Sequence, residues 1–178
     1  MDCLEAIKAR RSIRRFKDRL VEKEKILEIL EAARLAPSAG NLQPLRMVVV
    51  NEKKLIEAIS TFTYEQVWIS EAPIALVICA SIEQTKRFYA EKGLEFVLQD
   101  CSAAIQNILL TATSLGLGAC WVGAFIENKI KQLLSIPDEV KVIAIVPIGY
   151  ADEKPEMPPK IDLNSITYFN AWGKPLKF

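Results

Sequence analysis

Histidine is absent from this chain of 178 residues. Its absence excludes a histidine-based triad, a histidine metal site and the commonest acid–base side chain. Cysteine is sparse. Cys3, Cys79, Cys101 and Cys120 show no CxxC spacing, and Cys79 and Cys101 sit in apolar segments where a buried free thiol is the expectation. No apolar run reaches the ~18–20 residues needed to span a bilayer. The opening MDCLEAIKARRS has no apolar core of the signal-peptide kind. Free thiols and no membrane partner together give a cytoplasmic location as the expectation. Chemistry in a chain so equipped is expected to be carried by a cofactor.

What is present is a domain's worth of apolar residues. A hydrophobic share of 51% argues against disorder, and the length suits one domain with a real core. Residues 2–11 read as a short helix with Leu4 and Ile7 on one side. Residues 22–35 read as a clearer one, with Ile26, Leu27, Leu30 and Ala33 at helical spacing and the glutamates outside. Pro37 and Gly40 end it. The runs RMVVV (46–50), PIALVICA (73–80) and VKVIAIVPIGY (140–150) read as strands, the first two continuous enough to be covered on both faces. Residues 127–134 read as helical. The helix 94–115 is apolar on one face and, after Cys101, nearly so on the other. Such a helix is expected to be central or to face a second subunit. From Ala151 the chain turns proline-rich and poor in aliphatics, and reads as an extended arm. Residues 1–150 are thus the core and 151–178 the arm. Alternating helices and apolar strands give an α/β or α+β sandwich.

The charge is uneven. The chain sums to +1, yet Lys8 to Arg19 holds seven basic residues and only Asp18 as an acid. At its centre is RRSIRRF, residues 10–16. A nucleic-acid footprint, a solvated surface and a site for one small phosphate are all open to such a cluster. Nucleic acid is disfavoured, because the cluster is short and the rest of the chain is acidic. Two small-residue turns favour the phosphate. APSAGNLQP (36–44) joins a helix to a strand, lets a ligand approach its backbone, and offers the amides of Asn41 and Gln43 to a heterocycle edge. GLGACWVGAF (116–125) is the second. It precedes a strand-like run, so it lacks the strand–GxGxxG–helix setting of a dinucleotide fold.

RRSIRRF, APSAGNLQP, the apolar helix leading into GLGACWVGAF, and the late IVPIGY followed by PPKIDL occur in the order found in the FMN-dependent nitroreductase family. The chain resembles that family over essentially its whole length. The resemblance implies an α/β/α sandwich with a mixed central sheet, built as an intertwined homodimer with FMN at the interface. The helix 94–115 would be the dimer core, and the arm would wrap the partner. Arg10, Ser12 and Arg14 would hold the FMN phosphate and ribityl chain, with Arg11 contacting through its backbone and Lys160 reaching the phosphate. Pro37, Ser38 and Ala39 would line FMN from the other subunit, with Asn41 and Gln43 nearby. Val122 and Gly123 would present backbone N–H groups to the flavin. The implied activity is NAD(P)H-dependent, ping-pong reduction of nitroaromatic, quinone or similar small acceptors, with no obligatory side-chain catalyst. A non-catalytic flavin-binding sensor or store, and the flavin dehalogenases and oxidases of the same fold, are the alternatives. Departures from the family pattern are Leu45 and Arg46 after the Gln-Pro pair, a single late basic residue in Lys160, and a short segment 81–95 that leaves room only for a small lid.

Overall fold

In the computed structural model, residues 1–175 are described. Positions 176–178, assigned above to the arm, lie outside them. The elements run α1 (Cys3–Ala9), α2 (Lys23–Arg34), β1 (Leu45–Val50), α3 (Lys53–Thr61), β2 (Ile74–Ser81), α4 (Glu83–Tyr89), α5 (Gly93–Ser114), β3 (Gly118–Ala119), α6 (Glu127–Leu134) and β4 (Val140–Gly149). Helix α1 starts at a capping box: the Glu5 N–H donates to Asp2 Oδ1 at 2.8 Å, and the Asp2 N–H donates to Glu5 Oε2 at 3.0 Å.

The four strands form one sheet in the order β1-β2-β4-β3, and every neighbour is antiparallel. The only parallel partnership among the described residues is the bridge from Ser12 to Ala119, so the mixed character of the sheet enters through the arginine motif itself. Strand β2 alternates between two cores. Ile74, Leu76, Ile78 and Ala80 face α2 and α5, while Ala75, Val77 and Cys79 face α3 and α6. In β4 the alternation slips at the bulge opposite Ile78/Cys79. Val142 and Ile145 therefore share one face, and Ala144, Val146 and Ile148 the other. Helices on both faces make the α/β/α sandwich.

Strand β1 departs from expectation. It pairs only with β2, and Arg46 and Val49 are exposed, so it is an edge strand rather than an internal one. Leu45 and Met47 pack against one core and Val48 and Val50 against the other. In α2 it is Ile29 and Ala33, not Leu27, that are buried. In α1 the buried residue is Ala6, while Leu4 and Ile7 face outward. Helix α5 buries Val97, Cys101, Ile105, Ile108 and Ala112, but its other side, with Ala103 and Leu110, is only half covered within the protomer. From 116 to 125 only Gly118–Ala119 is strand, followed by a bridge from Val122 to Ile145. The arm is exposed over most of its length.

Candidate functional site

RRSIRRF runs extended across the end of the sheet. Ile13 and Phe16 turn inward against Ala72 and Trp68. That leaves Arg10, Ser12 and Arg14 free to turn elsewhere. The backbone N–H groups are all engaged from Ile13 to Lys17. The Ile13 N–H donates to the Ala119 carbonyl at 3.0 Å and the Lys17 N–H to that of Tyr150 at 2.8 Å. Between them the N–H groups of Arg14 and Arg15 both donate to Glu153 Oε1, and that of Phe16 to Glu71 Oε2. An anion at this motif is therefore met by side chains, not by amides 13–17.

The side chains divide in function. Arg11 folds back, its Nη1 donating to the carbonyls of Lys8 at 2.8 Å and Arg10 at 2.7 Å, so it caps the C-terminal end of α1. Arg10, Arg11, Ser12, Arg14 and Lys160 line one cleft of about 430 Å³, with Glu156 its only carboxylate among the described residues. Guanidinium forks, a hydroxyl and an ammonium form a set dominated by donors, which suits a dianionic phosphate. Arg14 also lies 5.9 Å from the centre of the Trp68 ring. Cys120 is buried, and burial pushes its thiol pKa up, while Arg14, Ser12 and Arg10 act in the other direction.

The second expected segment is elsewhere. Pro37, Ser38 and Gln43 line a separate cleft of about 220 Å³ with Leu45, Arg46 and Asp100. The two clefts share no residue. The loop between α2 and β1 is tightly wound: Gly40, Asn41 and Gln43 have φ of 56°, 55° and 50°. The Ser38 Oγ accepts from the Gln43 N–H at 3.0 Å, and the Ala39 N–H donates to Asp100 Oδ1 at 3.0 Å. Asn41 is exposed and lines neither cleft. One expectation is corrected outright. The Val122 N–H is not free for a ligand, because it donates to the Ile145 carbonyl at 2.9 Å and the Val122 carbonyl accepts from Ile145 in return. Gly123 is exposed, and a Cβ there would meet nothing within 4 Å. Of that pair only Gly123 can offer an amide.

Sequence reasoning passed over Glu71, Trp68, Glu153 and Asp100. The first three lie far from the motif along the chain, and no local pattern marks them. Asp100 had a weak signal: it and Glu95 are the only acids from residue 94 to 115.

The sequence profile of the Nitroreductase family matches residues 7–73 and 60–150. The chain belongs to the nitroreductase family. A Methanothermobacter thermautotrophicus protein provisionally named NADH dehydrogenase/NAD(P)H nitroreductase is 42% identical over 161 residues, spanning 87% of this chain and 80% of its own. An FMN reductase [NAD(P)H] of Bacillus subtilis is 31% identical across 95% of this nitroreductase-family chain and 75% of its own. Among solved structures, an FMN-dependent nitroreductase from Clostridium difficile R20291 superposes with a TM-score of 0.83 at 32% identity, covering 95% of this chain and 99% of that one.

Proposed function

We propose that this protein is an FMN-dependent NAD(P)H oxidoreductase acting as a homodimer, with FMN at the subunit interface. As a nitroreductase-family member it is an NAD(P)H-dependent oxidoreductase, in keeping with relatives named FMN reductase, NADH dehydrogenase and NADPH nitroreductase. The observation that carries the FMN assignment is the single cleft lined by Arg10, Ser12, Arg14 and Lys160, whose donors suit a phosphate. When bound, FMN supplies the two-electron redox chemistry that no side chain of this chain provides. Arg10 and Arg14 would hold its phosphate through their guanidinium forks, and Ser12 and Lys160 would add a hydroxyl and an ammonium donor. Gly123 offers a free amide toward the ring. NAD(P)H binds and NAD(P)⁺ leaves before a nitroaromatic, quinone or similar acceptor takes the same place, a ping-pong order.

The interface assignment rests on the two separate clefts. Pro37, Ser38 and Ala39 do not reach the arginine cleft within one protomer. In a dimer, Pro37, Ser38 and Ala39 of the partner subunit complete it. Exposed Leu4 and Ile7 on α1, the half-covered side of α5, and exposed Ile161, Leu163, Ile166 and Trp172 on the arm supply apolar surface for that association.

The test is the visible spectrum of the purified protein and chromatography of what it releases on denaturation, with FMN expected. Flavin-free protein that rejects FMN while accepting FAD or an oligonucleotide refutes the assignment. Steady-state NAD(P)H oxidation then separates an enzyme from a non-catalytic flavin carrier. Truncation after Gly149 is expected to lose FMN and aggregate; a folded, flavin-loaded monomer refutes the interface site.

A further inference from the structure

We infer that Asp100 is a positioning residue, tethering the Pro37–Ser38–Ala39 loop to α5 in the conformation that receives the cofactor; this rests on the FMN reading above. The first observation is the hydrogen bond from the Ala39 N–H to Asp100 Oδ1 at 3.0 Å. The second is its isolation. Arg46, at the start of β1, donates to the Gln43 carbonyl. Apart from it, Asp100 is the only group outside residues 37–43 that hydrogen-bonds to them among the described residues; the other bonds of the loop are internal.

The third observation is what the tether costs. Asp100 Oδ2 is buried and has no hydrogen-bond partner. Arg34 and Arg46 line the same cleft, but neither forms an ion pair with it among the described residues. A buried, half-satisfied carboxylate is unfavourable, and an alanine there would avoid the penalty. Burial accordingly pushes the Asp100 carboxyl above the usual carboxylate range, against the pull of the Ala39 amide. The compensation is the loop. Three of its residues hold positive φ, two of them not glycine, a conformation that a free loop of this composition leaves readily. A charge-assisted bond to Ala39 holds the peptide that joins Ser38 to Ala39. The Tyr89 hydroxyl lies close to Gly40, so that a Cβ added there would come within 2.7 Å of it.

The experiment compares Asp100→Ala and Asp100→Asn in the full chain. Asparagine keeps an acceptor oxygen for the Ala39 N–H; alanine removes it. Two readouts are taken. Without added FMN, amide exchange of the peptide spanning 36–44 is expected to speed up about tenfold in Asp100→Ala and to stay near wild type in Asp100→Asn. With FMN, the Kd is expected to rise about tenfold or more in Asp100→Ala and to change little in Asp100→Asn. Unchanged exchange in Asp100→Ala overturns the tether. Faster exchange with an unchanged FMN Kd overturns its role in the site. Lost protection in folded Asp100→Asn overturns the assignment of the acceptor, whether or not the alanine variant folds. If wild-type protein takes no FMN at all, the FMN reading fails and the cofactor role of Asp100 falls with it, while the exchange data still decide the tether alone.

Discussion

Gly118→Ala tests whether the arginine motif is held in register from beneath. A Cβ on Gly118 would lie 2.7, 2.8 and 2.9 Å from Cγ1, Cβ and Cγ2 of Ile13. The obstacle is a branched carbon beside the backbone, not the flexible end of a long side chain, so rotation gives no relief. Ile13 is 7% exposed and its N–H is bonded to Ala119, the residue next to the substitution. Overpacking of this kind costs ~1–3 kcal/mol. For a domain of this size each kcal/mol lowers Tm by ~2–4 °C, so a fall of about 2–12 °C is expected. Ser12 and Arg14 flank Ile13, and its displacement moves both donors. FMN Kd should therefore rise about tenfold, beyond what the stability loss explains. Ile59→Val is the control. Ile59 is fully buried on α3, in a different apolar cluster from Ile13, and its truncation costs ~0.5–1.5 kcal/mol. Thermal melts at fixed protein and FMN concentration, with flavin-fluorescence titration, supply both numbers. If Gly118→Ala lowers Tm yet binds FMN as tightly as Ile59→Val does, the claim that β3 positions the phosphate donors is wrong. An unchanged Tm refutes the packing argument itself.

Arg14→Ala is expected to weaken FMN binding by about 2–4 kcal/mol, and Arg15→Ala, whose side chain lines neither cleft, to do little by comparison; equal losses in titration would point to a diffuse basic surface. Thiol labelling at pH 8 should find one fast-reacting cysteine, Cys3, because burial pushes the thiol of Cys79 up to about 11 and that of Cys101 up to about 12 and also raises that of Cys120. A second fast thiol in the folded protein would show that one of these sites opens. The Tyr150 hydroxyl donates to Glu22 at 2.6 Å and holds its carboxyl at about 2, below the ordinary 4.5, with Lys25 and Arg19 assisting. A lowered folded-state pKa stabilises above the unfolded value, and that contribution is lost as pH falls from about 4.5 through about 2. In Tyr150→Phe the Glu22 carboxyl should titrate closer to 4.5 by NMR; an unmoved titration removes Tyr150 as the main cause.

Much of this protein was legible along the chain. RRSIRRF marked a concentrated positive charge, and the cleft formed by Arg10, Ser12 and Arg14 gathers it. The run IALVICA specifies a strand covered on both faces, and β2 is one. The segment from Leu94 to Leu115 specifies a long helix with more apolar surface than one face needs, as α5 has. The absence of histidine pointed to borrowed chemistry. These are local properties, set by periodicity and side-chain type, and they survive without knowledge of neighbours.

Pairing and proximity were decided only in three dimensions. RMVVV and IALVICA look alike in sequence, but one lies at the edge of the sheet and the other inside it, because strand order depends on which elements pack together. Leu27 and Ile29 are both aliphatic residues of α2, and only the direction from which α5 approaches buries Ile29. Val122 was a plausible amide donor until Ile145 took its N–H. Glu153 comes from 139 residues away to hold the amide of Arg14, and Asp100 from 61 residues away to hold that of Ala39. A one-dimensional pattern records what each residue can do. Which residues spend that capacity on each other is set by the close packing of distant segments, and that is why the motifs of the site could be read in the sequence while the groups that position them could not.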